Sequence, residues 1–243
     1  MTKENILFAV CGVLLGFIVG FFFANSVNQS AAAPRAAATN AQGGMSGQLP
    51  AGHPDVTATE QALAAAASEA ARKAREKPDD FDAQMSAAEA SYKAGNVDDS
   101  LAFLLRANQL RPDDQKVVVA LGNVNYDAER FETAEKWYTA ALLKNPDDVN
   151  VRTDLGLTFL LRSQPDVDRA VAEFRRSLER DPDHQLTLQN LVVALKRKGD
   201  TKEARATLER LEKLNPSNSA LPMLREQLEG SGASAPSSSK SGS

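Results

Sequence analysis

Hydrophobic residues follow two different patterns along this chain. Residues 6–24 (ILFAVCGVLLGFIVGFFFA) run for nineteen positions without a charge. That length crosses a bilayer core as a helix, so a transmembrane segment is expected over 6–24, behind a short flank at 1–5. From about residue 57 the pattern becomes i, i+4, i+7, the spacing of a helix with one buried face. Between the two, residues 25–56 are mostly Ala, Pro, Gly, Ser, Gln and Asn, read as a disordered linker. Residues 230–243 have a similar composition and are read as a disordered tail.

The helical pattern is punctuated. Pro78, Pro112, Pro146, Pro182 and Pro216 stand 34, 34, 36 and 34 residues apart, the first four followed by Asp and the last by Ser. A fixed period of this size marks a repeat architecture. A proline at each interval stops one helix and opens the turn into the next. The predicted fold is all-α, a solenoid of four helix pairs over 79–218. Residues 57–78 precede it as the remnant second helix of a degenerate unit or an N-terminal cap. Residues 219–229 follow as a capping helix that covers the last apolar face.

Within the period, small and large residues recur. One unit carries Leu121-Gly122, Ala134, Tyr138 and Ala141; the next carries Leu155-Gly156, Phe159, Ala170, Phe174 and Ser177. The unit before has Ala87-Ala88, Tyr92, Gly95, Ser100, Leu104 and Ala107, and the one after has Leu191-Val192, Leu195, Gly199, Ala204, Leu208 and Leu211. Small residues belong where helix axes approach to roughly 8–10 Å. These slots resemble the tetratricopeptide repeat, whose paired helices stack into a right-handed superhelix. The match is strongest in the second and third units. The third unit is two residues longer, the excess lying in 162–168, and Pro165 is expected to open its second helix.

The resemblance implies a concave groove lined by the first helix of each unit, binding a protein or peptide partner. Mapped onto this chain, the groove-facing residues are Met85, Glu89, Tyr92, Val119, Asn123, Tyr126, Thr153, Leu157, Leu160, Gln189, Val193 and Lys196. One version of the family clamps a C-terminal carboxylate with lysines and asparagines. Asn123 matches one such asparagine, but Met85 stands in the lysine slot, so that mode is not expected. An apolar groove with a few amides suits an extended or helical segment with apolar anchors.

The apolar run is longer than the core of a cleavable signal peptide and follows a weakly basic start, so an uncleaved signal anchor is favoured. Gly12, Gly16 and Gly20 share one face at i, i+4, i+8, a spacing that lets membrane helices touch backbone to backbone, as a dimer or in a heteromer with another membrane helix. Lys3 and the amino terminus precede the run and only Arg35 follows within reach. The positive-inside bias then places the N-terminus in the cytoplasm and the repeats outside it, periplasmic or extracytoplasmic.

Little else suggests chemistry. Cys11 is the single cysteine and lies in the apolar run, which excludes an internal disulfide. The two histidines, His53 and His184, lack catalytic partners in sequence, and neither a phosphate loop nor a metal-ligand cluster is legible. The Asp pairs 79–80, 113–114 and 147–148 sit where helices begin and are read as N-caps. A net charge of −4 offers no basic stripe for nucleic acid. No enzyme activity and no cofactor is expected. By its layout of span, linker and repeats the chain resembles bacterial tetratricopeptide proteins of c-type cytochrome biogenesis and ancillary translocon subunits. An envelope assembly or chaperone-like factor is the first reading, and a scaffold joining folded membrane partners the second.

Overall fold

The computed structural model describes residues 56–229, which form ten α-helices joined by short turns. They are α1 (Val56–Glu76), α2 (Phe81–Lys93), α3 (Val97–Leu110), α4 (Gln115–Asp127) and α5 (Phe131–Lys144). The series continues with α6 (Val149–Leu161), α7 (Val167–Arg180), α8 (Gln185–Lys198), α9 (Thr201–Leu214) and α10 (Leu221–Glu229). Each packs on its neighbours in sequence, giving the pairs α2/α3, α4/α5, α6/α7 and α8/α9. The expected membrane span, its glycine face, the linker and the tail lie outside the described residues. Among the described residues no helix is long and apolar enough to cross a membrane.

The prolines act as the period implies. After α3, α5, α7 and α9 the C-caps are Arg111, Asn145, Asp181 and Asn215, each immediately before a proline. All four have φ between −127° and −144° and ψ between 79° and 92°. A residue before proline is pushed out of the helical region, so the chain turns at the same point in each unit. The second Asp of each pair then caps the next helix. Asp80 Oδ1 accepts from Ala83 N at 3.1 Å, Asp114 Oδ1 from Lys116 N at 2.9 Å and Asp148 Oδ1 from Val151 N at 3.1 Å. The first Asp pairs outward with a basic residue of its own unit's second helix: Arg106 with Asp79, Lys144 with Asp113 at 3.1 Å and Arg180 with Asp147 at 2.8 Å. Arg106 and Lys144 also donate to the carbonyls of Pro78 and Pro112.

Within a pair the glycine slots receive rings. A Cβ on Gly122 would stand 2.5 Å from Tyr138 Cε1, and one on Gly156 would stand 2.5 Å from Phe174 Cε1. Tyr138 and Phe174 therefore key into the first helix of their own pair. The turn inside a pair needs a left-handed residue, supplied by Gly95 and Gly199 at φ 77° and 88°. Glu129 takes that conformation in the second unit, at φ 57°.

The third unit departs from expectation. Asp166 accepts from Arg169 N at 3.1 Å and is the N-cap, so α7 begins at Val167 and Pro165 stands before the helix. The extra residues are held by Arg162, which donates to Gln164 O at 3.0 Å and to Asp166 Oδ2 at 3.1 Å.

Two apolar clusters make the core. One joins Ala71 and Ala74 of α1 to Leu104, Val117 and Leu121; the other runs from Val118 and Tyr138 to Leu228. Trp137 packs against both. Helix α1 buries Ala67, Ala71 and Ala74 at i, i+4, i+7, and Gln84 Nε2 donates to Ala74 O at 2.9 Å. It packs on α2, where the second helix of a preceding unit would stand. Helix α10 buries Leu221, Leu224 and Leu228 and contacts α8 and α9. Its start at Leu221 puts Pro222 in the first turn, where a missing N–H is harmless.

Candidate functional site

The twelve groove residues occupy one register, the fifth, ninth and twelfth positions of α2, α4, α6 and α8. Their exposure is uneven. Glu89, Tyr92 and Asn123 are exposed, and Met85, Val119, Gln189, Val193 and Lys196 are half-buried. Tyr126, Thr153, Leu157 and Leu160 are buried by the chain itself. Thr153 belongs to an internal hydrogen-bond cluster, its Oγ1 2.6 Å from Thr187 Oγ1 and 2.8 Å from the Val149 carbonyl. The row is thus open along α2 and α4 and filled by aliphatic side chains along α6.

Several row residues are already engaged. Lys93 Nζ lies 2.6 Å from Glu89 Oε1. Gln189 Nε2 donates to Asn218 Oδ1 at 3.2 Å, next to the capping helix. Tyr138 reaches the row from α5 and donates its hydroxyl proton to Asn123 Oδ1 at 3.0 Å. Tyr92 on α2 donates to Asp127 Oδ2 on α4, which ties the first two units together at the row.

Two carboxylates stand among these groups that the sequence reading did not place there. Asp127 is the last residue of α4, and Asp154 lies at the sixth position of α6. Burial raises the Asp127 carboxyl above its ordinary range, opposed by the hydrogen bond from Tyr92. Burial, then Asp127 and Asp148, push Asp154 up to about 7. Burial, then the fields of Asp154 and Asp127, raise the Tyr126 hydroxyl, and the Tyr138 hydroxyl is raised in the same way. Two atoms near this register are buried without a hydrogen-bond partner: the Tyr126 hydroxyl and Asn190 Nδ2, at the sixth position of α8. The available signal for the carboxylates was their cost to the helices. Asp127 puts negative charge at the negative end of a helix dipole. Asp154 is a poor helix former in mid-helix, immediately before the apolar stretch LGLTFLL.

His184 occupies the N-cap position of α8 without capping it. Its ring nitrogens lie 2.6 Å from Thr187 Oγ1 and 3.1 Å from Asn150 Oδ1, so it bridges two units. Among the described residues no group of three or more His, Cys, Asp or Glu is placed to hold a metal ion.

Paired helices in this register, with glycine slots and period-setting prolines, define a tetratricopeptide repeat protein. A tetratricopeptide repeat family profile matches residues 59–115, and the profile of the cilia and flagella-associated protein 70 middle TPR-like domain matches 119–226. Among solved structures, YrrB, a TPR protein with an unusual peptide-binding site, superposes with a TM-score of 0.57 at 17% identity, covering 73% of this chain and 88% of its own. MamA from Desulfovibrio magneticus RS-1, residues 41 to the end, gives 0.57 at 20% identity, covering 67% of this chain and 94% of its own. MamA AMB-1 gives 0.57 at 21%, covering 66% and 94%. At these identities the likeness concerns the fold. Among curated proteins, none matches the sequence.

Proposed function

We propose that the chain is a protein–protein interaction module that binds a peptide segment along the row of first helices. The reading rests on one observation above others: the open part of that row, along α2 and α4, exposes Tyr92 at 42% together with Asn123, with Met85 and Val119 half-buried in the same register, a surface with apolar anchors and an amide. The peptide-binding site of YrrB on the same fold supports the reading. With the apolar run at 6–24 as an uncleaved anchor, the module is tethered to a membrane and serves as an envelope assembly or chaperone-like factor, extracytoplasmic by the charge bias. The anchor's glycines would give it a membrane-helix neighbour.

A photo-crosslinking residue placed at Asn123 in the full-length protein, in its native membranes, should trap a defined peptide segment. The same residue at Lys136, exposed on α5, should not. Trapping from Lys136 alone would favour the scaffold reading, in which folded partners use the second helices. Fractionation tests the tether: the full chain should stay with membranes in alkaline carbonate and retain its first residues. A mature N-terminus within 26–33 would show a cleaved signal instead.

A further inference from the structure

We infer that a cleft between α7, α8 and α9 receives an aromatic side chain, phenyl or indole, from a segment of a partner protein. The cleft opens between second helices and goes beyond the row of first helices, so neither surface needs the other.

One small residue leaves this space. The residue at the seventh position of each second helix is Phe103 in α3, Trp137 in α5, Glu173 in α7 and Thr207 in α9. Phe103 is buried in the cluster that holds Ala71 and Ala74 of α1, and Trp137 packs against both apolar clusters. Each ring thus fills the seam between its own pair and the helix before it. Glu173 fills the third seam with its partners Arg152 at 2.9 Å and Arg176 at 2.7 Å. Thr207 puts nothing comparable into the fourth, because its hydroxyl turns back to the Glu203 carbonyl of its own helix at 2.9 Å. A cleft of about 380 Å³ remains there, with Leu178, Leu188 and Leu191 in its wall and no ring in its lining.

The rim favours a ring over an ion. Arg175 is held by both Glu203 oxygens, at 2.8 and 2.6 Å. Arg210 donates to the Pro182 carbonyl and lies 3.7 Å from Asp183. With Glu179 and Glu203 the rim counts two cations and two anions, so it offers no surplus charge to a phosphate or a carboxylate. A guanidinium still attracts the face of a ring. Elsewhere the molecule makes this pairing itself: Arg111 stands 3.9 Å from the centre of the Phe81 ring, and Arg75 stands 5.9 Å from that of Phe103 in the equivalent seam. Arg175, Glu203, Arg210 and the Thr207 hydroxyl are already engaged, which leaves little to orient a free small molecule. A ring carried by a chain needs no such anchor.

This chain has no spare ring to offer. Residues 25–55 and 230–243 contain no Phe, Tyr or Trp, and the phenylalanines of 6–24 belong to the apolar run expected in a membrane. Among the described residues the one exposed aromatic is Tyr92, already hydrogen-bonded to Asp127 on the row.

The test is a random nonapeptide display library selected on the full-length chain, with the selected peptides then measured on Thr207→Trp and Thr207→Phe. These variants place in the fourth seam the rings that occupy the second and first. Both should melt at or above the wild-type temperature, since the ring enters existing space; lower melting in both would show that the seams are not equivalent and overturn the inference. A class of peptides should bind both variants at least tenfold more weakly than wild type. Its members should share a tryptophan or phenylalanine whose replacement by alanine also weakens binding at least tenfold, as for an anchor residue. If the variants lose no peptide, or lose peptides that share no aromatic residue, the cleft is not an aromatic site. Self-association of wild type that the variants abolish would make a second copy the occupant. N-acetyltryptophanamide binding as tightly as the peptides would make it a small molecule. Either result would overturn the partner segment.

Discussion

At Gly156 the space allowed to one atom decides the outcome. Alanine is the better helix former by about 1 kcal/mol, which by itself would favour substitution. The added methyl would stand 2.5 Å from Phe174 Cε1, and Phe174 is fully buried with no room to withdraw. Overpacking wins: Gly156→Ala should lower unfolding free energy by roughly 1–3 kcal/mol in denaturant titrations, and a gain in stability would contradict the packing. This slot was legible, because a glycine in mid-helix with a ring one helix later leaves few alternatives. Asp154 was not, because an isolated aspartate in a helix reads as a solvated face until its neighbours are placed. Its pKa near 7 makes a distinct prediction. The folded state holds the proton more tightly than the unfolded chain, whose aspartates titrate near 3.9. Stability is therefore lost as pH rises from about 4 to about 7. Asp154→Asn should match wild type near pH 4. At pH 8, with solvent screening allowed for, it should exceed wild type by on the order of 1–3 kcal/mol. Equal melts at pH 8 would contradict the burial that raises that carboxyl.

The helix boundaries at Pro78, Pro112 and Pro146 were the most legible, since each is written twice, as a proline that stops one helix and an aspartate that starts the next. Asp114 receives two backbone N–H groups, from Lys116 at 2.9 Å and Val117 at 3.4 Å. Asp114→Ala should cost about 1 kcal/mol by thermal unfolding, while Asp113→Ala, which removes only an exposed ion pair, should cost at most about half of that. Equal losses would mean that the pair acts through charge and not through the cap. Pro165 shows where the same reasoning runs out. The string QPDV allows proline as the first helical residue or aspartate as the cap, and only the bond from Arg169 N to Asp166 selects the second. The contacts from Arg106 and Lys144 to proline carbonyls were also not legible, because they join residues 28 and 32 positions apart whose side chains meet only after the pairs have stacked.

For the whole described region, stacking decides which residues of the row remain available. From Leu155 to Leu160 every residue of helix α6 is buried, and Thr153, Leu157 and Leu160 accordingly disappear between its neighbours. Charge at Leu157 would thus test folding and not binding. The face left open belongs chiefly to α2 and α4, with Tyr92 and Asn123 exposed on it. First and second helices alternate along the sequence, so a probe that resolves single helices resolves the two faces. Hydrogen–deuterium exchange of the full-length chain, with and without the segment trapped from Asn123, makes that separation. The account predicts slower exchange in 81–93 and 115–127 on binding, with 97–110 and 131–144 unchanged. Protection confined to 97–110, 131–144 and 167–180 would place the partner on the second helices and contradict a groove-binding module.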